Sequence, residues 1–166
     1  MILNHGQRAK LRLGIQLILP PRESPEMICG IGTDIAKVSR FEKWVRNREL
    51  IHRFFNSCEI VEVEESQIEK KMQFLCEHYA ARFSAKEAFS KALGTGFVGL
   101  ELADFGIIKN ENGKPEFFFG DKTADTIRKI FNCETKTHIS ISHEKDFAVS
   151  FVVIEEEQKS REEKSV

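Results

Sequence analysis

The sequence predicts an α+β domain in which one antiparallel sheet packs against a long helix and smaller helices. Apolar residues recur at helical spacing through the middle of the chain, from Met72 to Leu93. Short apolar runs bounded by turn residues lie on both sides of this segment, and they predict strands. No internal repeat divides the 166 residues, and this length suits one domain with a stable core.

The first predicted strand covers Met27 to Gly32. Residues 1–26 differ from it in composition and include a Pro-Pro-Arg-Glu-Ser-Pro stretch. They are either a poorly ordered extension upstream of an initiator at Met27 or a genuine N-terminal arm, and the sequence leaves both open. We expect the domain to span residues 27–154, followed by a charged, frayed tail over residues 155–166.

A single basic helix is predicted after Asp34, because apolar residues recur there with helical spacing. From Lys37 to Arg53 its other face carries six basic residues and two acidic ones. Four acidic residues then cluster between Glu59 and Glu65, where we expect them to lie in solvent.

The long helix is predicted to start at a capping box, Ser66-x-x-Glu69, and to stop at Gly94. A second Ser-x-x-Glu sequence, from Ser84 to Glu87, indicates a kink or a restart. The apolar stripe of this helix comprises Met72, Leu75, Cys76, Tyr79, Ala80, Phe83, Phe89, Ala92 and Leu93.

Beyond the helix, an Asn-Gly turn between two apolar runs predicts a hairpin. Asp121 is expected to cap a short helix that ends near Phe131. Two further strands complete the predicted sheet. The four predicted strands are Phe105 to Lys109, Pro115 to Phe119, Thr137 to Ser142 and Phe147 to Ile154.

Composition excludes several classes of function. The formal net charge of −1 gives no overall nucleic-acid signature. No apolar run approaches the roughly 20 residues of a membrane helix, so we expect a cytoplasmic protein. The four cysteines form no Cys-x-x-Cys, which predicts buried thiols in a reducing compartment rather than a zinc site or disulfides. The fourteen Phe residues are expected in the core or at subunit contacts.

Three segments carry residues suited to chemistry. Gly30-Ile-Gly-Thr-Asp34 places a carboxylate where a strand ends, although an Asp there serves equally well as a helix N-cap. In the second segment, Glu87 and Lys91 share a helical face, and a surface ion pair would explain those two alone. It would leave Lys86 and the following Gly94-Thr95-Gly96 turn without a role. A carboxylate and two ammonium groups beside a glycine turn suit a metal-bound polyphosphate.

The third segment, His138-Ile-Ser-Ile-Ser-His143, alternates polar and apolar residues as a strand does. Its polar face, with Ser140 and Ser142, is either the wet side of a sheet or part of a site or subunit contact. His143, at the turn, is the better candidate to face a ligand. A Ser-His-Asp hydrolase is disfavoured because no serine lies in a nucleophile elbow.

Together, these segments resemble the small stand-alone 4′-phosphopantetheinyl transferases of bacterial fatty-acid synthesis. The resemblance covers about Met27 to Ile154 and includes Arg40 and Asn112-Gly-Lys-Pro115. It implies an α+β homotrimer that binds coenzyme A in clefts between subunits. The residues that it implicates are Asp34 and Glu87 as Mg²⁺ ligands and catalytic groups, Lys91 as a catalytic and phosphate-neutralising group, Lys86 as a second phosphate group, Gly94, Thr95 and Gly96 along the nucleotide, and Ser142 and His143 near the phosphates.

The resemblance also implies the reaction and the partner. A serine of apo-acyl carrier protein would attack the β-phosphate of coenzyme A, and adenosine 3′,5′-bisphosphate would leave. The base could be Glu87, Asp34 or a water on the metal. The basic face, with Arg40, Lys43 and Arg46, would dock the acidic carrier. The alternative is a non-catalytic module that binds coenzyme A or carrier protein, but such a module would not need both carboxylates.

Overall fold

The computed structural model describes residues 27–157. The expectations for residues 1–26 and 158–166 lie outside this range. The described chain is an α+β domain, as predicted. Its strands are β1 (Ile28–Lys37), β2 (Phe105–Lys109), β3 (Pro115–Phe119), β4 (Thr135–His143) and β5 (Phe147–Glu156), and its α-helices are α1 (Glu42–Val45), α2 (Arg48–Phe54), α3 (Glu65–Leu93) and α4 (Asp121–Phe131).

The structure has two antiparallel sheets where the sequence predicted one. One has the strand order β1-β5-β4, and the other is the β2–β3 hairpin. Helix α3 packs on the inner face of the three-stranded sheet, and the β2–β3 hairpin contacts the edge strand β4. Buried residues along α3 join two core clusters, one around Phe41 and Phe55 and the other around Phe89 and Phe105. No helix within residues 27–157 is long and apolar enough to cross a membrane.

The prediction of one basic helix after Asp34 is wrong. Strand β1 continues to Lys37 and pairs with β5 along its length. Ile31, Thr33 and Ile35 point outward while their neighbours face α3. This alternation is the period of a strand, and it continues into the segment where the apolar spacing had predicted a helix. A short 3-10 turn, Val38–Phe41, leads into α1, and the Asn47 side chain then caps α2. The basic surface therefore lies on three short segments.

Several predicted element ends also differ. Ser66 does not cap α3, which begins at Glu65 without a side-chain cap and runs unbroken past Ser84. It ends at Gly94, as predicted, with a left-handed φ of 78°. Asp121 does not cap α4; instead, the Thr123 backbone N–H donates to Asp104 Oδ2 at 2.7 Å. Strand β5 extends to Glu156, two residues into the predicted tail.

Candidate functional site

The two glycines of the first segment allow β1 and α3 to touch backbone to backbone. A Cβ atom at Gly30 would overlap the carbonyl oxygen of Ala92, and one at Gly32 would overlap that of Ala88. Any larger residue would push the helix away from the strand. The glycines thus act through close packing, and they place the next inward-facing strand residue, Asp34, against α3.

Asp34, Glu87 and Lys91 converge where α3 crosses β1. Lys91 Nζ donates to Asp34 Oδ1 at 2.8 Å and to the Thr33 carbonyl oxygen at 3.0 Å. The Glu87 carboxyl group lies close enough to the Asp34 carboxyl group for the two to influence each other's ionisation. The Asp34 side chain is 9% exposed and that of Lys91 is 53% exposed, so the cluster opens to solvent on the lysine side.

Two neighbouring carboxyl groups repel each other when both are ionised, and a cation beside them would stabilise the ionised pair. Burial is the largest cause that raises the pKa of Glu87, followed by the nearby Asp34 carboxyl group and its negative charge. Lys91 and Arg40 oppose this increase. An all-oxygen donor set is the kind that a hard divalent cation prefers. No cluster of three or more His, Cys, Asp or Glu residues occurs in residues 27–157, so a metal here would need further ligands from substrate or water.

A buried hydroxyl pair lies behind Asp34. Ser150 is the β5 residue paired with Asp34, and its Oγ lies 2.6 Å from Ser84 Oγ on α3. Both serines are fully buried, and Ser84 Oγ donates to the Ala81 carbonyl oxygen. The pair joins helix and sheet next to the carboxylates. Sequence reasoning missed it, although a serine at an inward position of an apolar strand was the available signal.

Lys86 does not join this cluster, and its expected role at the phosphates is corrected. Its side chain is completely buried, and Nζ forms an ion pair with Glu59 Oε2 at 2.8 Å. The same ammonium donates to the carbonyl oxygens of Leu102, at 2.7 Å, and Phe105. Lys86 points away from Asp34 because successive helix residues are rotated by about 100°.

Glu59 was expected in solvent and is instead fully buried. Its Oε2 accepts from the Asn56 backbone N–H at 2.9 Å, and its Oε1 accepts from the Ile107 N–H at 3.2 Å. Asn56 and Glu59 form a capping box around a short 3-10 turn. The Asn-x-x-Glu spacing was therefore the sequence signal that separates Glu59 from its solvated acidic neighbours.

The Gly94-Thr95-Gly96 turn lies directly after α3 and is exposed. Gly94 and Gly96 both have left-handed φ values, 78° and 59°, which favour glycine. Thr95 Oγ1 donates only to the neighbouring Gly96 carbonyl oxygen, at 3.1 Å. The turn begins three residues beyond Lys91.

The His138–His143 strand does not reach this cluster within one chain. Ile139 is buried beneath α3, whereas Ser140 and Ser142 lie on the outer face of the sheet, as the alternation predicted. His143 Nδ1 lies 4.0 Å from Glu77 Oε2 on α3. Ser142 and His143 therefore lie on opposite sides of β4, and one chain does not bring them to Asp34 and Glu87.

The predicted docking residues lie on the segments that follow β1. Arg40, Lys43 and Arg46 are all exposed. Arg40 is close enough to Glu87 to lower its pKa. Arg46 is committed to an ion pair with Glu69 at the start of α3, so Arg40 and Lys43 carry more of the unpaired positive charge on this surface.

The cysteines match the expectation of buried thiols only in part. Cys76 is buried, which raises its pKa to about 11, whereas Cys58 belongs to the exposed residues. Cys29 and Cys133 are partly buried. All four are free thiols.

Comparisons with known proteins agree on one family. A family model described as the 4′-phosphopantetheinyl transferase superfamily matches residues 30–152. The chain is 37% identical over 129 residues to the holo-[acyl-carrier-protein] synthase of Treponema denticola, covering 78% of this chain and 99% of the relative. It is 41% identical over 131 residues to the holo-[acyl-carrier-protein] synthase of Clostridium beijerinckii, covering 78% of this chain and 98% of the relative. A crystal structure of the Bacillus anthracis synthase in complex with coenzyme A (3′,5′-ADP) matches with a TM-score of 0.60 and 34% identity, covering 79% of this chain and 99% of that chain.

Proposed function

The chain belongs to the 4′-phosphopantetheinyl transferase superfamily, and from this premise we propose that it is a holo-[acyl-carrier-protein] synthase. It transfers 4′-phosphopantetheine from coenzyme A to a serine of apo-acyl carrier protein and releases adenosine 3′,5′-bisphosphate, in fatty-acid biosynthesis. The observation that carries the proposal is the meeting of Asp34, Glu87 and Lys91 where α3 crosses β1. A module that only binds coenzyme A or carrier protein would not need this paired carboxylate site.

Asp34 and Glu87 would hold a Mg²⁺ ion, since their contact brings two hard oxygen donors together beside solvent. When bound, the ion would offset negative charge on the pyrophosphate of coenzyme A and on the leaving oxygen. Magnesium dependence is thus part of this proposal.

Lys91 orients the same site. Its ammonium has three N–H donors, and two of them contact Thr33 and Asp34. The third donor can reach a phosphate oxygen on the solvent side. The Gly94-Thr95-Gly96 turn follows on that side, and we assign it to the nucleotide of coenzyme A.

We also propose that the protein is a homotrimer. The outer face of the β1-β5-β4 sheet exposes large apolar side chains that a second copy of the chain would cover, namely Ile31, Ile35, Phe147, Val149 and Phe151. Ser142 lies on this face beside Val149. In the assembly, Ser142 and the exposed His143 would approach the coenzyme A of a neighbouring subunit. Light scattering after size exclusion should give three chains, and Phe151→Glu should give one.

The test of the reaction is the intact mass of apo-acyl carrier protein incubated with the enzyme, coenzyme A and Mg²⁺. We expect the carrier to gain one phosphopantetheine and the gain to disappear with EDTA. Coenzyme A binding without any gain, across several carriers, would favour the non-catalytic module. A gain that persists in EDTA would contradict the metal assignment alone.

A further inference from the structure

The buried ammonium of Lys86 has a complete set of acceptors away from the carboxylate cluster. Its three donors contact Glu59 Oε2, the Leu102 carbonyl oxygen and the Phe105 carbonyl oxygen. Lys86 and Glu59 are both fully buried, so water competes for none of these bonds. A charged side chain held in this way keeps the atoms around it in one arrangement.

Two of the acceptors of Lys86, Leu102 and Phe105, lie at the end of the loop that begins with the Gly94-Thr95-Gly96 turn. Leu102 begins a short 3-10 turn, Leu102–Asp104, which closes the loop begun at Gly94, and Phe105 directly follows that turn. Lys86 directly precedes Glu87 on α3. One side chain therefore connects the helix that carries Glu87 to the segment where the loop re-enters the domain.

Glu59 and Asn56 hold the same segment from the other side. Asn56 Nδ2 donates to the Ala103 carbonyl oxygen at 2.7 Å, and the Ile107 N–H donates to Glu59. The loop itself contains three glycines with positive φ, Gly94, Gly96 and Gly99. Because glycine leaves the backbone free to adopt other conformations, the loop depends on its anchors for a defined position.

We propose that Lys86 is a positioning residue for the nucleotide of coenzyme A, and that Glu59 is its buried counter-charge. Lys86 sets the place of the Gly94–Asp104 loop relative to Glu87 and touches neither substrate nor metal. This inference rests on the proposed function, which assigns the loop to the nucleotide.

The test separates positioning from simple stability with three variants. Lys86→Met removes the donors and leaves Glu59 as an unpaired buried charge. Glu59→Gln keeps the donors of Lys86 to the two carbonyl oxygens. The double variant Glu59→Gln/Lys86→Met removes both charges, so we expect it to recover most of the stability that Lys86→Met loses. Leu75→Ala, which lies eleven residues before Lys86 on α3, serves as a control for general destabilisation.

The readout is the binding of adenosine 3′,5′-bisphosphate by calorimetry, with Mg²⁺ present, beside the thermal unfolding of each variant. We expect Lys86→Met and the double variant to bind about 10- to 100-fold more weakly than wild type, as for the loss of hydrogen bonds from a charged donor. Glu59→Gln, which keeps an acceptor for Lys86 and loses the counter-charge, should weaken binding less than the Lys86 variants do, and Leu75→Ala should stay within about 3-fold of wild type.

A double variant that binds the nucleotide as tightly as wild type would overturn the inference and leave Lys86 with a structural role alone. The same holds if affinity follows unfolding temperature across all four variants. Wild-type protein that neither binds the nucleotide nor modifies carrier protein would instead refute the proposed function.

Discussion

Two lysines five residues apart on α3 each form an ion pair with a carboxylate from another segment. The two pairs have the same N···O distance and differ in burial and in their other partners. Lys86–Glu59 and Lys91–Asp34 both have N···O distances of 2.8 Å. The first pair is fully buried, with every donor satisfied by protein. In the second pair, the lysine side chain is 53% exposed.

The difference shows that burial, more than distance, decides what an ion pair does. Burial lowers the pKa of Lys86 and Glu59 opposes this, so each charge depends on the other to stay in the interior. Near the surface, solvent screens the attraction of Lys91 for Asp34, and the lysine is free to exchange partners. The buried pair is therefore suited to hold structure, and the exposed pair to meet a ligand.

The largest expected effect is on transfer activity, and it comes from the carboxylate cluster at the exposed Lys91–Asp34 pair. We expect Glu87→Gln to lower transfer by about three orders of magnitude, roughly 4 kcal/mol, because one of two metal ligands is lost. Its unfolding temperature should stay close to wild type. The variant loses the attraction of Glu87 for Lys91 and Arg40, but it also loses the repulsion between Glu87 and Asp34. Intact-mass kinetics and thermal unfolding test this, with Glu77→Gln on the same helix as control. Near-normal turnover of the folded variant would refute the metal assignment.

The second prediction compares the stability of the two lysines. Lys86→Met should lower the free energy of unfolding by about 3–5 kcal/mol, because Glu59 would remain buried without a counter-charge. Lys91→Met should lower it by less than about 1 kcal/mol. Transfer activity should fall for Lys91→Met even so, because the donor at the phosphates is gone. Urea unfolding of both variants gives the two energies, and equal losses would contradict the division between the pairs.

The third prediction concerns pH on the buried side of α3. His78 Nε2 donates to the Glu59 carbonyl oxygen at 2.7 Å. Burial, assisted by the charges of Arg82 and Lys109, lowers the pKa of His78 to about 4. The unfolded chain binds a proton below the ordinary pKa of 6.5 and the folded chain does not, so stability is lost as pH falls from 6.5 toward 4.

At about pH 5, His78 should therefore cost about 2 kcal/mol relative to about pH 7. Urea unfolding at both pH values measures the loss, and His78→Gln keeps a donor while removing the titration. We expect the variant to lose less stability than wild type over this interval. Equal losses would show that His78 does not carry the pH dependence. His143, which is exposed, offers a matched control through His143→Gln.

Sequence patterns predicted the elements whose signals are local. The long apolar stripe, the Asn-Gly hairpin and the stop at Gly94 each depend on spacing within one segment, and the structure has all three. The β1 boundary was mispredicted because a strand period and a helix period overlap after Asp34. Packing against β5 decides that competition, and a partner strand more than 100 residues away is invisible to a local pattern.

The candidate site follows the same rule. Glu87 and Lys91 share a helical face in the sequence, whereas Asp34 was joined to them only by the family resemblance, because its own segment left an N-cap role open. The family resemblance assigned Lys86 and Lys91 the same role at the phosphates, yet the two lysines face different surroundings on α3. Glu59 lay in an acidic run; the Asn-x-x-Glu spacing set it apart as part of a capping box, but its partners on α3 and β2 lie beyond any local pattern.

The smallest expected effect concerns the surface beside the exposed pair. Arg40 is exposed and close to Glu87, while Arg46 is held by Glu69. We expect Arg40→Glu to raise KM for acyl carrier protein by about 5- to 10-fold at low salt, because a reversed charge would repel an acidic partner. The difference should shrink as salt screens exposed charges. KM for coenzyme A should change less.

The matched control is Arg46→Glu, which removes an ion pair that already occupies its guanidinium. Steady-state kinetics at two ionic strengths should therefore show a larger effect at Arg40 than at Arg46. An equal, salt-independent change in both variants would place carrier docking elsewhere. A larger effect at Arg46 would mean that the carrier competes with Glu69 for this arginine. The Arg46–Glu69 pair would then behave as we propose for the exposed Lys91–Asp34 pair, in which the ion pair of the free protein is replaced by contacts with a ligand.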